Sequence, residues 1–240
     1  MPQIWAIACE SKNKLLKEEW MMPTGDQILA RRIVDAAMRN KDTIDPIINR
    51  ASLSCSGQLV GLEYCLKSIE SILSKFSRST SGRKTVNDAL RYTVLLPRME
   101  YVQKFESFIT FVEGYGIYEK RRRNGWAVED AARGGYRGIN SVFEMQDHNP
   151  RAVSSKFQFE VQFHTWDSFQ AVKNMHGIYD DIRELDRYDD ERARGEVRAV
   201  HTFAFVKCPP GANLLPSIDW RGRYVHPFDW FEFDRRWKMA

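Results

Sequence analysis

Residues 157–163 have the sequence FQFEVQF. Apolar side chains alternate in it with Gln158, Glu160 and Gln162, which is the period-two pattern of a strand with one buried face. Glu160 and Gln162 therefore point together, away from the apolar face. Outward from this strand, β-forming residues bounded by turn residues or proline predict four more strands, at Leu90–Leu96, Tyr115–Glu119, Ile139–Met145 and Ala199–Val206.

Helical periodicity fills much of the sequence between these strands. The run Thr24-Gly-Asp-Gln27 resembles a capping box and predicts a helix to about Asn40. From Gly57 to Arg78 the apolar residues recur every three or four positions, the pattern of an amphipathic helix. Two more helices are predicted, at Met99–Val112 and from Trp166 to about Asp186. We therefore expect an α+β fold, a mixed β-sheet of about five strands flanked by helices.

Composition excludes several functional classes. The 240 residues are 43% hydrophobic and 28% charged, as in globular proteins. The sequence contains no run of about 18 apolar residues, the length that a membrane-spanning helix needs. The N-terminus lacks the basic segment of a signal peptide. The cysteines form no CxxC pair, which favours a cytoplasmic site of action; they are Cys9, Cys55, Cys65 and Cys208. A net charge of +4 suits an anionic ligand but is small for a dedicated DNA-binding protein.

Carboxylates at neighbouring strands indicate a metal site. Asp88 precedes one strand and Glu160 lies on another, and hard oxygens in such positions hold Mg²⁺ with room for phosphate oxygens. Cationic and polar side chains surround them: Ser71, Lys75 and Arg78 share a helix face, followed by Lys84, Arg91 and Arg121–Arg123. A metal with converging cations points to a phosphate ligand.

Each of these residues also has an ordinary structural interpretation. Asp88 is a common type of turn residue, Glu160 could face solvent, and His176 on an apolar helix stripe could be a buried structural histidine. The triple arginine at 121–123, beside Asn-Gly, is typical of a solvated turn. Taken one by one, the residues indicate no more than a possible nucleotide site.

The order of the motifs carries more information than any one motif. The chain contains, in sequence, SIESILSKFSR (68–78), DALRYTV (88–94), GGYRGINSVF (134–143), FEVQFHT (159–165) and HGIYDDIR (176–183). This order resembles the RelA/SpoT nucleotidyltransferase domain, the synthetase of guanosine-type alarmones. The residues of these motifs are most similar to those of the domains carried by secreted bacterial toxins. The resemblance spans about Leu59–Arg183 and implies a nucleotidyltransferase-like core at 56–190. Outside it we expect a helical N-terminal extension at 1–55 and a β-rich C-terminal extension, packed on the core, at 191–240.

The sequence departs from the family pattern at three places. Two residues separate Asp88 from Arg91 where the usual synthetase has four. His164 replaces the arginine of the E-x-Q-x-R-T strand, and Asn140 replaces the histidine of the GYRxLH loop. Because the last two positions line the nucleotide site in the family, the motifs do not decide which nucleotide is the acceptor. No counterpart of the family's metal-dependent hydrolase half is found.

The resemblance implies transfer of the β,γ-pyrophosphoryl group of ATP to the 3′-hydroxyl of an acceptor nucleotide. Asp88 and Glu160 would hold Mg²⁺, Glu160 could instead act as general base, and Gln162 would orient the acceptor. ATP and its phosphates would be bound by Ser71, Lys75, Arg78, Lys84 and Arg91. Tyr136 would stack on the acceptor base, and the remaining acceptor-side residues are Arg137, Asn140, His164, His176 and Tyr179.

Three functions remain open at this point. The first is an alarmone-type toxin whose acceptor is GDP or GTP, or AMP, ADP or ATP. The second is pyrophosphorylation of the tRNA 3′-CCA end, which needs a basic track such as Arg121–Arg123 with Arg192–Arg198. The third is a nucleotide-binding or interaction module with a weakened site. A toxin would also imply an immunity protein, for which Trp220–Trp237 offers an aromatic surface, and delivery by a specialised secretion system without a cleaved signal peptide.

Overall fold

A single mixed sheet and five helices form the described part of the chain. The computed structural model describes residues 24–78, 86–127, 136–146, 156–183, 190–219 and 224–225. The helices are α1 (Gly25–Ser54), α2 (Ile69–Ser77), α3 (Tyr101–Glu113), α4 (Trp166–Arg183) and α5 (Asp190–Ala204). The strands are β1 (Gln58–Val60), β2 (Arg91–Leu95), β3 (Tyr118–Asn124), β4 (Ile139–Gln146), β5 (Lys156–His164), β6 (Ser217–Ile218) and β7 (Tyr224–Val225). No helix in these ranges is long and apolar enough to span a bilayer.

The strand order in the sheet is β1-β2-β5-β4-β3-β6-β7. Strands β2 and β5 are parallel, and the other described pairs are antiparallel. The predicted α+β class with a mixed sheet is confirmed. The sheet has more strands than the five predicted. The sequence does not reveal β1, β6 and β7, because they contain only two or three residues each, too few to produce a sequence period.

The apolar face of the sheet is the core of the protein. In β5 the buried positions alternate as predicted, with Phe159, Val161 and Phe163 fully buried. Helix α3 packs on this face, and its Phe105 and Phe108 rings each lie edge-on to Phe163 at 4.9 Å between centroids. The opposite face of the sheet therefore carries the polar side chains of the same strands.

Helix α1 starts where the sequence predicts and runs further. Thr24 and Gln27 form the reciprocal capping box. The helix continues beyond Asn40 to Ser54 and includes Pro46. Ile44 and Ile48 are fully buried, so the apolar stripe of α1 is longer than the predicted segment and covers more of the core.

The predicted helix from Gly57 to Arg78 is wrong in its first half. That half contains β1 and a 3₁₀ turn at Leu62–Tyr64, with Gly61 in the left-handed region at φ 67°. The helix α2 begins only after Ser68, whose hydroxyl accepts a hydrogen bond from the Ser71 amide. The leucine spacing misled the prediction because Leu62 is largely exposed and does not belong to the buried helix face.

Two further strand predictions need correction. The strand expected at Tyr115–Glu119 is β3, Tyr118–Asn124, so the triple arginine lies in a strand and not in a turn. The strand expected at Ala199–Val206 is the end of α5, because a helix that starts with Asp190 and Glu191 continues through these β-forming residues. The C-terminal segment therefore begins with a helix, and its strands within the described residues are the short β6 and β7.

The segment that follows α5 is bonded to β3. The buried Asn124 amide donates to the carbonyls of Ala212 and Leu215 at 2.7 and 2.8 Å. The Asn124 backbone N–H donates to the Ser217 hydroxyl, and the Arg122 guanidinium donates to the Pro216 carbonyl. These bonds place β6 beside β3 in the sheet.

Candidate active site

Strand register brings the predicted residues together on the polar face. In the parallel β2–β5 pair Arg91 lies opposite Glu160, and Thr93 lies opposite Gln162. In the antiparallel β4–β5 pair Gln162 lies opposite Asn140. Residues in register across neighbouring strands present their side chains on the same face, so one cross-strand patch unites side chains from three strands.

Asp88 forms the centre of a charged cluster ahead of β2. Its Oδ1 lies 2.7 Å from Lys75 Nζ, and its Oδ2 lies 2.7 Å from both Lys67 Nζ and Arg91 Nη2. The carboxylate is only 12% exposed. Helix α2 supplies Lys75, the loop before it supplies Lys67, and β2 supplies Arg91. One buried carboxylate therefore orients three cations from three successive segments.

Electrostatics keep this cluster charged. Burial alone would raise the pKa of Asp88, but Lys75 and Lys67 more than offset it and hold that pKa well below its ordinary value. Burial lowers the pKa of Lys67, although Asp88 opposes the change. Asp88 is consequently an anion at neutral pH.

Lys67 is a site residue that the sequence analysis missed. It is 20% exposed and bonds directly to Asp88. The sequence predicts one continuous helix from Gly57 to Arg78, in which Lys67 is an ordinary surface lysine. The turn that precedes α2 was not predicted. Lys67 lies beside Asp88 because its backbone N–H donates to the Ala89 carbonyl at 2.9 Å. This bond joins residues that are distant in sequence, so no local pattern indicates it.

Glu160 and Gln162 are coupled to the Asp88 cluster. Glu160 Oε1 lies 3.0 Å from Arg91 Nε and accepts a hydrogen bond of 2.8 Å from Gln162 Nε2. Arg91 therefore bridges the two carboxylates that the sequence analysis expected at a metal site. Within the described ranges, no group of three or more His, Cys, Asp or Glu side chains is placed to hold a metal ion.

Tyr136 lies beside this patch and is held at its hydroxyl. The hydroxyl donates to Asn140 Oδ1 and lies 3.0 Å from His164 Nε2. The Tyr136 and His164 rings meet edge-on at 5.4 Å. Burial, with Glu160 nearby, raises the pKa of Tyr136 well above its ordinary value. Burial lowers the pKa of His164 to about 4, so the imidazole is neutral at physiological pH.

Two glycines leave the space that this arrangement requires. A Cβ on Gly125 would lie 2.7 Å from the Tyr136 carbonyl oxygen and 2.8 Å from its ring. A Cβ on Gly138 would lie 2.8 Å from Cε1 of His164. Both contacts are closer than real Cβ atoms tolerate, so any larger residue would displace Tyr136 or His164.

The arginines of β3 extend the site on its far side. Arg121 lies opposite Val142, which itself lies opposite Glu160, and Arg123 lies opposite Asn140. Arg121 and Arg123 are therefore in the same cross-strand rows as the catalytic candidates. The sequence analysis placed them in a turn, because three consecutive arginines before Asn-Gly lack the alternation that indicates a strand.

Other predicted residues lie further out or beyond what is described. Ser71 is exposed on α2, and Arg78 is exposed directly after the end of that helix. The Arg137 Nε atom is buried and has no hydrogen-bond partner in the described part of the chain. His176 and Tyr179 belong to α4, but their side chains are not among those that the structure describes. Lys84 and nearly all of the Trp220–Trp237 segment lie outside the described residues.

The sheet, its register and the polar patch give the chain the fold of a RelA/SpoT-type synthetase domain. Small alarmone synthetase 2 from Bacillus subtilis superposes with a TM-score of 0.51 at 14% identity, over 72% of this chain and 92% of that chain. The resemblance derived from the motifs is thereby confirmed at the level of the fold.

Two further solved structures are similar. The Type VI effector Tas1, from a complex with its immunity protein, has a TM-score of 0.48 at 17% identity, over 72% of this chain and 94% of that chain. A GTP pyrophosphokinase family protein from Streptococcus pneumoniae has a TM-score of 0.48 at 14% identity, over 75% of this chain and 89% of that chain. No family model matches the chain, and no curated protein matches it in sequence.

Proposed function

We propose that this protein is a pyrophosphokinase that transfers the β,γ-pyrophosphoryl group of ATP to the 3′-hydroxyl of an acceptor nucleotide. The observation that carries the proposal is the convergence of Lys67, Lys75 and Arg91 on Asp88, with Arg91 also ion-paired with Glu160. Three cations face two carboxylates, so the cluster retains an excess of positive charge. A polyphosphate is the type of ligand that such a cluster binds.

The donor nucleotide would be bound by the cations of the cluster. The ATP phosphates compete with Asp88 for Lys75 and Arg91, whose side chains are 40% and 36% exposed and therefore within reach of a ligand. Asp88 and Glu160 are hard oxygen donors and fit Mg²⁺, which would be shared with the phosphates. When bound, this ion neutralises phosphate charge in the transition state.

Glu160 would act on the acceptor hydroxyl. In the proposed step it takes the proton of the 3′-hydroxyl, whose oxygen attacks the β-phosphorus of ATP. The bond from this phosphorus to the oxygen that bridges it to the α-phosphate breaks, and AMP leaves with that oxygen. The contacts that Arg91 and Gln162 make with Glu160 both fall on Oε1 and fix the carboxylate, so that Oε2 can face the hydroxyl.

The acceptor would lie between Tyr136 and the β3 arginines. Tyr136 offers an aromatic ring for the base, and Arg121 and Arg123 offer cations for the acceptor's own 5′-phosphates. This division favours a free purine nucleotide, GDP or GTP or one of AMP, ADP and ATP. Transfer to the tRNA 3′-CCA end remains the second candidate, because Arg194 and Arg198 are exposed on α5 and could extend a basic surface.

The biological role that fits this chemistry is growth inhibition by a bacterial effector. The proposal rests on the similarity of the motif sequences to those of toxin-associated domains. Such a role also implies an immunity protein in the producing cell, and cytoplasmic action after delivery by a specialised secretion system. Expression of the wild type should stop growth of a bacterial host, and Glu160→Gln should abolish that effect. Equal growth inhibition by both forms would exclude catalysis as its cause.

A labelling experiment tests the proposed reaction. The purified protein is incubated with Mg²⁺, γ-³²P-ATP and, separately, AMP, ADP, ATP, GDP, GTP or bulk tRNA, with Glu160→Gln as control. Label on a nucleotide that depends on Glu160 supports the proposal and identifies the acceptor. Label on tRNA supports the second candidate. Label on no acceptor refutes both and leaves a binding module.

A further inference from the structure

Two departures from the family pattern contact the same atom. Asn140 and His164 lie on neighbouring strands, β4 and β5. Asn140 Oδ1 accepts the hydrogen bond of the Tyr136 hydroxyl, and His164 Nε2 lies 3.0 Å from that hydroxyl. One hydroxyl oxygen is therefore held by side chains from two neighbouring strands.

His164 is itself held in place from the other side. Its Nδ1 lies 3.0 Å from the Ser168 hydroxyl. Ser168 and Thr165 bond reciprocally at the start of α4: the Thr165 amide donates to the Ser168 hydroxyl, and the Ser168 amide donates to the Thr165 hydroxyl. Both ring nitrogens of His164 therefore have partners, and the imidazole is fixed to the rigid first turn of a helix.

The burial of His164 explains why a neutral side chain suits this position. The residue is fully buried, and it packs against Gly138, whose missing side chain provides the space. An arginine here would bring a permanent charge into a site where the described partners are hydroxyls, an amide and aromatic rings, and an unpaired buried charge is strongly unfavourable. A neutral imidazole can bond to Tyr136 without that cost.

We propose that His164 is a positioning residue for the acceptor: with Asn140 it fixes the Tyr136 ring that receives the purine base of the acceptor nucleotide. This inference rests on the proposed function. The bonded hydroxyl prevents the Tyr136 side chain from rotating, so the acceptor does not have to order it on binding. Ser168 extends the linkage to α4, and Asn140, Tyr136, His164 and Ser168 act as one unit.

A double-mutant cycle tests the linkage. Tyr136→Phe keeps the ring and removes the hydroxyl, and His164→Leu removes its partner. We expect each variant to raise the KM of the acceptor identified by labelling about three- to tenfold, as for loss of one hydrogen bond. The acceptor KM of the double variant should not exceed that of the single variant with the higher KM, because both changes break the same linkage. The KM for ATP should change less than about twofold by the same reasoning.

Two controls separate positioning from folding. Tyr92→Phe removes another buried hydroxyl, which donates to Asp45 on the apolar side of the sheet; it should lower the melting temperature and leave the acceptor KM unchanged. Ser168→Ala is the milder substitute if His164→Leu does not fold. Spectra of ¹⁵N-histidine-labelled protein should show the His164 ring signals shifting in Tyr136→Phe, with or without activity.

The outcomes distinguish this inference from the function beneath it. Additive effects of Tyr136→Phe and His164→Leu, or an unchanged acceptor KM in folded variants, would overturn the positioning role and leave the pyrophosphokinase intact. A wild type that transfers label to no acceptor refutes the proposed function, and the inference with it. Unchanged His164 signals in Tyr136→Phe would overturn the linkage itself.

Discussion

Replacing Asp88 by Asn should destabilise the fold and not only stop catalysis. The change keeps the shape of the side chain and removes its charge, which leaves Lys67, Lys75 and Arg91 clustered without their shared anion. Breaking a buried ion pair costs about 3–5 kcal/mol. Because Lys75 and Arg91 are more than a third exposed and partly hydrated, we expect a loss of about 2–4 kcal/mol.

Urea unfolding followed by far-UV circular dichroism measures this loss. With an m-value of about 3 kcal/mol per M, the midpoint should fall by about 0.7–1.3 M at pH 7. Asp45→Asn is the matched control, since Asp45 also bonds a lysine, Lys41, and accepts from the Tyr92 hydroxyl, but it is 34% exposed. Its loss should be about 1 kcal/mol or less.

The pH dependence gives an independent check. The folded-state pKa of Asp88 lies below its unfolded value of about 3.9, so the stabilisation is complete above that value and is lost as pH falls through the folded pKa. The difference between wild type and Asp88→Asn should therefore be constant from pH 5 to 7 and shrink below about pH 4. A difference under about 0.5 kcal/mol at pH 7, or one that is undiminished at pH 3, would refute the assigned role of the cluster.

Three further predictions follow from the site. Glu160→Gln should lower turnover at least about 100-fold and should destabilise the fold less than Asp88→Asn, because Arg91 keeps Asp88 as its partner; a fully active variant would remove Glu160 as the base. Lys67→Met should raise the KM for ATP severalfold, whereas Lys173→Met, an exposed lysine on α4, should not; equal effects would contradict the phosphate role. Gly125→Ala should cost about 1–3 kcal/mol through the clash with Tyr136, while Gly177→Ala, with open space around it, should be neutral or stabilising.

Local patterns predicted the strand and the side-chain direction at the centre of the candidate site. The alternation in FQFEVQF predicts both β5 and the shared orientation of Glu160 and Gln162, because strand period and side-chain direction depend only on neighbouring residues. The capping box at Thr24 predicts the start of α1 for the same reason. Asp88 and Arg91 lie three residues apart, so their contact is also a local property.

The contacts that depend on distant residues could not be predicted in this way. The pairing of β2 with β5 is set by the packing of the whole sheet, and so is the bond between Arg91 and Glu160. The β3 strand is rich in charge and obtains its strand conformation from β4 and β6 on either side. The meeting of Asn140 and His164 at Tyr136 likewise exists only once two strands are in register.

The bonds from Asn124 to the segment after α5 make the end of the described chain part of the support for the sheet that carries the candidate site. A chain cut before residue 206 would lose the acceptors of the buried Asn124 amide and leave β3 as an open edge strand. Open edges with unpaired backbone groups favour association between molecules. Shortened versions should therefore precipitate, and a minimal fragment made to test the proposed activity should keep the chain at least through β7.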